Sequence, residues 1–170
     1  VEVFLPLRDA SLLDEVLVVD SCSTDRTADA ARAAGADVAT ATEPGKGEAM
    51  WRGLAAARGD LVAYCDADLL DVGPHYALGL LGPLLTVPEV HLVKGYYRRP
   101  IVDRQGGVDE YGGRVTELAA RPFLNLHRPE LAQLVQPLAG EWAGRRTLLE
   151  SLSFPTGYGV EIAVLIDTHA

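Results

Sequence analysis

Two carboxylates, Asp66 and Asp68, flank one alanine directly after the apolar run Leu61-Val62-Ala63-Tyr64-Cys65. A buried strand ending in D-x-D places two hard oxygen donors beyond its carboxyl end, where an open α/β sheet holds its ligands. Such a pair suits one hard divalent cation such as Mg2+, whose other positions diphosphate oxygens can fill. The spacing also occurs in plain loops and caps, so its place after a strand carries the reading. A second apolar run, Glu15-Val16-Leu17-Val18-Val19-Asp20, also ends in a carboxylate and leads into Ser21-Cys22-Ser23-Thr24-Asp25. Asp20 could bond a base or ribose there, while Ser23 or Thr24 caps the next helix. A third cluster, Pro44-Gly45-Lys46-Gly47-Glu48-Ala49, opens a helix with a lysine between two glycines. Free amides and a cation at the positive end of a helix suit an anion. The G-x-x-x-x-G-K-[ST] pattern of a P-loop is absent.

The elements that must position these residues alternate. Val1 to Pro6 reads as a short strand, Glu15–Asp20 as a second, and Ala36–Ala39 as a third. Helices are expected from Ser23 or Thr24 to Gly35 and from Lys46 to Arg58, with Gly35 and Gly59 as stops. Leu61–Cys65 forms the fourth strand. This rhythm predicts an α/β domain with a mostly parallel, Rossmann-like sheet flanked by helices. Only eight residues separate the first two strands, short for a parallel crossover, so residues are expected to be missing after Pro6. In the second half, Gly79–Leu85 ends a helix and Val90–Tyr97 forms a strand. Asp103 to Gly113 reads as a mobile polar loop. Arg114–Leu126, Arg145–Leu152 and Val160–Asp167 read as helices, and Leu131–Leu138 as extended or mixed.

Bulk properties exclude several classes. The 170 residues, 48% hydrophobic and 23% charged, suffice for one core. Acidic residues outnumber basic ones, 24 to 15, for a net charge of −9, which argues against a nucleic-acid partner. No apolar run approaches the roughly 18 residues of a membrane span, so no membrane partner is expected. With no signal peptide in view, a cytoplasmic location is expected. Cys22 and Cys65 are too few for a disulfide framework or a four-ligand zinc site and are expected as buried thiols.

The succession of Asp20-Ser21, Gly45-Lys46-Gly47 and Asp66-Ala67-Asp68 resembles the nucleotide-sugar half of a GT-A glycosyltransferase. Further blocks, Val90 to Pro100, Gly113-Arg114-Val115-Thr116-Glu117-Leu118, Gln136 to Glu141 and Gly157-Tyr158-Gly159-Val160-Glu161-Ile162, are similar to the glucosyl-3-phosphoglycerate synthases. The related mannosyl-3-phosphoglycerate synthases are also close. The resemblance runs from Val1 to Ala170. It implies a single GT-A catalytic domain, with residues 1–97 binding the nucleotide sugar and 98–170 the acceptor. It implies retaining transfer of glucose or mannose from a UDP- or GDP-sugar to the 2-hydroxyl of 3-phosphoglycerate. Pro6, Asp20, Ser21, Lys46, Asp66 and Ala67 would hold the donor. Asp66 and Asp68 would hold Mg2+ or Mn2+, with a histidine beyond Ala170 completing the site. Gly113, Arg114, Thr116 and Tyr158 would hold the acceptor. Asp68 and Glu161 are the expected catalytic residues, with Glu141 the alternative polar group beside the sugar, unless it pairs with Arg145 or Arg146. A homodimer is also implied. A nucleotidyltransferase would want a glycine-rich loop after the first strand, where Leu5-Pro6-Leu7-Arg8 stands. A non-catalytic sugar-nucleotide module would have no need of Arg114.

Overall fold

A computed structural model describes residues 1–69, 72–96 and 113–169, together with the backbone of 101–102 and 108–109. The chain opens in a turn and enters helix α1 (Leu5–Asp9), not a strand. Pro6 stands in the first turn, where its missing N–H costs nothing and its fixed φ already suits a helix. Between α1 and β1 (Leu17–Asp20) the chain runs through a turn. Arg8 ties α1 to the carbonyl of Gly35 at 2.7 Å. Gly35, at φ +95°, ends α2 (Thr27–Ala33) as a left-handed residue. Neither Ser23 nor Thr24 caps α2. Asp25 does the work instead, accepting from the Thr27 amide at 2.9 Å and the Thr27 hydroxyl at 2.5 Å.

β2 (Asp37–Thr40) pairs parallel with β1 in full register, Leu17 opposite Asp37 and Asp20 opposite Thr40. Helix α3 (Lys46–Ala56) covers this pair, with Gly53 against Val19. It ends at Ala57, two residues before Gly59, where the backbone turns extended. The other sheet is mixed, not parallel. β3 (Leu61–Tyr64) and β4 (Leu92–Lys94) both pair antiparallel with β7 (Trp142–Arg145), which lies between them. The α/β class holds, and parallel pairing holds for β1 and β2. The inserted β7, from the second half of the chain, gives this sheet its antiparallel character.

Two layers close on that sheet. On one face Met50 and Leu54 of α3, Leu149 of α7 (Arg146–Leu149) and Val160 and Val164 of α8 (Val160–His169) surround Val62 and Trp142. On the other, Leu80 and Leu84 of α4 (His75–Thr86) pack on Ala143. Leu54, Leu84 and Leu149 are essentially fully buried, each worth about 1.5–3 kcal/mol of transfer free energy. A third cluster joins α8, through Leu165, to α5 (Arg121–His127) and α6 (Pro129–Ala132). Leu131–Leu138 is mixed, one of the two expected forms: it begins as helix and continues in turns and bends. A helical turn from Arg114 and a π-helical turn, Thr116–Ala120, run without a break into α5. Arg121 staples this region by donating to the carbonyls of Ala132, Leu134 and Val135. The short strands β5 (Ile101–Val102) and β6 (Val108–Asp109) pair antiparallel. The expected mobile loop, Asp103 to Gly113, otherwise lies outside the described residues, apart from Gly113. No described helix is long and apolar enough to cross a membrane.

Candidate active site

The charged residues gather where the strands end. Lys46, in the first turn of α3, is the hub. Its ammonium lies 2.8 Å from Asp66 Oδ1 and 3.1 Å from Oδ2, and 2.5 Å from Glu161 Oε1 in the first turn of α8. Burial alone would lower the pKa of Lys46, but the hydrogen bonds and charges of Asp66 and Glu161 outweigh it and the pKa is raised. Two of the amides at the start of α3 are not free for an anion. Those of Gly47 and Glu48 donate to the carbonyl of Thr156 at 3.0 and 3.3 Å. The two glycines allow this approach: a Cβ at Gly45 would overlap the Thr156 carbonyl, and one at Gly47 the Pro155 carbonyl. The backbone before α8 thus takes the place expected for a phosphate, and it brings Glu161 to Lys46.

Asp20 is buried at the end of β1 and accepts from the Ser23 amide at 3.3 Å. Ser21 Oγ accepts from the Gly45 amide at 3.1 Å, joining the β1 loop to the α3 start. Asp66 is half-buried. Its carboxylate presses on Gly140, where a Cβ would lie 2.6 Å from Asp66 Cγ. Ala67 and Asp68 form an exposed turn. Asp66 and Asp68 offer hard oxygen donors, one engaged by Lys46 and one open to solvent, and so fit a divalent cation sharing a diphosphate. No third His, Cys, Asp or Glu joins them among the described residues.

Pro6 falls elsewhere. It is exposed on α1, beside the turn that precedes β2, at the opposite end of the parallel pair from Asp20. The donor role that the resemblance implies for Pro6 places it with Asp20 and Lys46, and the structure does not bring Pro6 beside either. Cys22 and Cys65 are both exposed, not buried. Cys22 sits at φ +59° in the loop after β1, and Cys65 follows β3, which pairs on only one side among the described strands.

Of the residues expected for the acceptor, Gly113 precedes the helical turn that starts at Arg114. Arg114 is exposed, and no described residue pairs with it. Thr116, two residues on, is buried. Tyr158 is 87% exposed, in the turn just before α8. The helix bearing Arg114 rests on the face of α8 that carries Leu165, and Glu161 sits in that helix's first turn.

One residue of the site, Lys94, has no role in the reading of its motifs, and Glu141 enters it only as an alternative. Lys94 closes β4 and donates from Nζ to the Ala139 carbonyl at 2.5 Å. Burial pulls its ammonium down to about 8, against the opposing charge of Glu161. A lysine ending an apolar strand was the available signal. Glu141 is 1% exposed, and neither carboxylate oxygen has a hydrogen-bond partner among the described residues. Burial, then the Asp66 charge, raises its pKa. The pairing with Arg145 or Arg146 does not occur. Arg145 donates to the carbonyls of Val90 and Leu84, and Arg146 to those of Gly59, Leu54 and Ala57.

The family model for glycosyl transferase family 2 matches residues 4–76, which hold Asp20, Lys46, Asp66 and Asp68. A glucosyl-3-phosphoglycerate synthase of Mycolicibacterium smegmatis is 51% identical over 99% of this chain and 58% of its own length. One of Petrotoga mobilis is 47% identical over 92% of this chain and 50% of its own. The crystal structure of the Mycobacterium tuberculosis enzyme with phosphoglyceric acid superposes with a TM-score of 0.86 at 48% identity, covering 98% of this chain and 58% of that one. A structure of the same enzyme holding Mn2+, UDP-glucose and phosphoglyceric acid also gives 0.86. The chain thus spans between half and three fifths of the length of these relatives.

Proposed function

The chain is a relative of the glucosyl-3-phosphoglycerate synthases along nearly its whole length, and from that relationship we propose that it carries the donor site and part of the acceptor site of a glycosyltransferase moving glucose from UDP-glucose to the 2-hydroxyl of 3-phosphoglycerate. The observation that carries this reading is the Lys46 hub, which joins the D-x-D strand to the α8 acid. The solved relative at 48% identity that holds UDP-glucose, rather than a guanine nucleotide, supports the choice of donor.

In this reading Asp20 and Ser21 line the nucleoside end, and Asp66, Ala67 and Asp68 the diphosphate end. A divalent cation, Mg2+ or Mn2+, held by Asp66 and Asp68 would neutralise charge developing on the departing diphosphate. Lys46 holds Asp66 and Glu161 at fixed separation, so that neither acid swings when the sugar bond breaks. A carboxylate tied to an ammonium is a poor nucleophile, which supports retention without a covalent enzyme intermediate. Arg114 starts a helix, where a cation is unfavourable unless an anion joins it. Its guanidinium fork, with the Gly113 amide and Thr116, suits the acceptor phosphate, and Tyr158 would close from the α8 turn. The exposed apolar residues Val115, Leu118, Phe123 and Leu126 on one helix support a homodimer. The test is glucose transfer to 3-phosphoglycerate, with UDP-glucose and GDP-glucose compared in Mn2+. Transfer from UDP-glucose is expected; its absence, with metal and both substrates saturating, would overturn the reading.

A further inference from the structure

Asp66 rests against a residue that has no side chain. β7 runs antiparallel to β3 with Trp142 opposite Tyr64. Carried two residues past the ladder, that register sets Gly140 opposite Asp66. A Cβ at Gly140 would overlap both Asp66 oxygens and lie 2.6 Å from Cγ, so its three nearest atoms all belong to that carboxylate. Gly140 has none of the left-handed backbone of Gly35 and Gly45. An ordinary residue could adopt its conformation, and Asp66 is what leaves no room for one. At Gly45, Gly47 and Gly95 the obstacle to a Cβ is backbone, that of Thr156, Pro155 and Glu141. At Gly140 it is the end of a side chain, which can turn where a backbone cannot.

The Gly140 backbone is held on both sides. Lys94 Nζ donates to the Ala139 carbonyl before it at 2.5 Å. The Gly95 amide donates to the Glu141 carbonyl after it at 2.7 Å. Trp142, where β7 begins, is fully buried. A methyl at position 140 would therefore displace the Asp66 carboxylate rather than the strand. That carboxylate is the one Lys46 holds at 2.8 and 3.1 Å. We propose that Gly140 is a positioning residue for Asp66: the space left by its missing side chain seats the carboxylate on Lys46 and sets the oxygen that a divalent cation would share. The kinetic part alone rests on the proposed transferase reading.

Gly140→Ala tests this, by itself and combined with Asp66→Ala. In metal-free protein it should lower the melting temperature by about 4 °C in the wild-type background and by less than half as much in Asp66→Ala, where the methyl has room. Equal shifts in the two backgrounds would overturn the proposal, because the methyl would then be meeting something other than Asp66. A variant that folds only together with Asp66→Ala supports the seat, and one that folds in neither background overturns it. Calorimetric titration with UDP gives a second readout. Gly140→Ala should weaken UDP about tenfold in Mn2+ and by no more than about twofold without metal, since what supports a metal ligand tunes the metal's affinity. Equal weakening under both conditions, or none, would count against the seat. With UDP-glucose and Mn2+ saturating, kcat should fall about 100-fold while KM for 3-phosphoglycerate holds within about twofold. Turnover at the wild-type rate would overturn the proposal. Absence of transfer in the wild-type protein would instead strike the proposed function and leave the melting comparison standing.

Discussion

The part of the site proposed for the donor and the part proposed for the acceptor are built on opposite plans. Lys46 is held on every side: two carboxylates sit on its ammonium, two amides of its helix bond the Thr156 carbonyl, and glycines let backbone meet backbone, with Asp68 left open to solvent. Around Arg114 there is an exposed cation at the start of a helix, no described partner, and an exposed Tyr158 nearby in sequence to α8. One side is preorganised before any ligand arrives; the other needs an anion to complete it. The difference predicts that damage on the donor side changes rate and structure, while damage on the acceptor side changes affinity.

The largest effect should come from Asp68→Ala. Removing the exposed carboxylate should lower kcat by three orders of magnitude or more and weaken UDP binding only in the presence of Mn2+ or Mg2+, because the cation loses one of two oxygen donors. The melting temperature should stay within about 2 °C, since an exposed turn carries little of the core. Calorimetric titration with UDP, with and without metal, checks this; metal-independent weakening would mean that Asp68 contacts the nucleotide itself. Next comes Gly47→Ala. In an ordinary helix that change stabilises by up to about 1 kcal/mol. Here the new methyl meets the Pro155 backbone, so the sign should reverse, with a loss of about 3 kcal/mol, or roughly 8 °C. A stabilised variant would show that α8 is not held on α3 through this contact.

Arg114→Ala sharpens the contrast from the acceptor side. KM for 3-phosphoglycerate should rise about 30-fold, near 2 kcal/mol, while UDP affinity and melting temperature hold. Arg114→Lys should recover only part, because a point charge lacks the paired geometry of the fork. A fall in UDP affinity would place Arg114 in the donor subsite.

How far the sequence shows this architecture depends on what each residue must do alone. Asp20 and Asp66 were legible because each stands where an apolar run stops, and Lys46 because it opens a helix between two glycines. β7 was not: Trp142-Ala143-Gly144-Arg145 lacks strand-favouring alternation, and it is a strand because β3 and β4 pair with it on both sides. Its Gly144 has no room for a side chain beside Leu149, a constraint that only the packed sheet reveals. Val1 to Leu5 alternates like a strand, yet Pro6 starts a helix as naturally as it ends a strand, and local pattern cannot decide between them. The fate of the α3 amides was equally hidden, because Pro155 and Thr156 lie more than a hundred residues away along the chain.

The smallest effect concerns Lys94, and its sign distinguishes a buried cation from a solvated one. In the unfolded chain a lysine titrates near 10.5, whereas burial in the fold brings Lys94 to about 8. Between these values the unfolded state binds more protons than the folded one, so stability must rise with pH across that window. The full displacement corresponds to about 3 kcal/mol by linkage; relaxation and water entry around the ammonium reduce it, and about 1 kcal/mol is expected. Lys46 has the opposite sign: its raised pKa adds stability that is present below 10.5 and lost only above it. The two lysines therefore separate by pH. The measurement is urea unfolding of the wild type and of Lys94→Met at intervals from pH 7.5 to 10. The wild type should gain on the variant as pH rises through 8, because only it has a buried ammonium to discharge. A constant difference would mean that Lys94 keeps its solvent pKa, and that the donor side is less closed than its geometry shows.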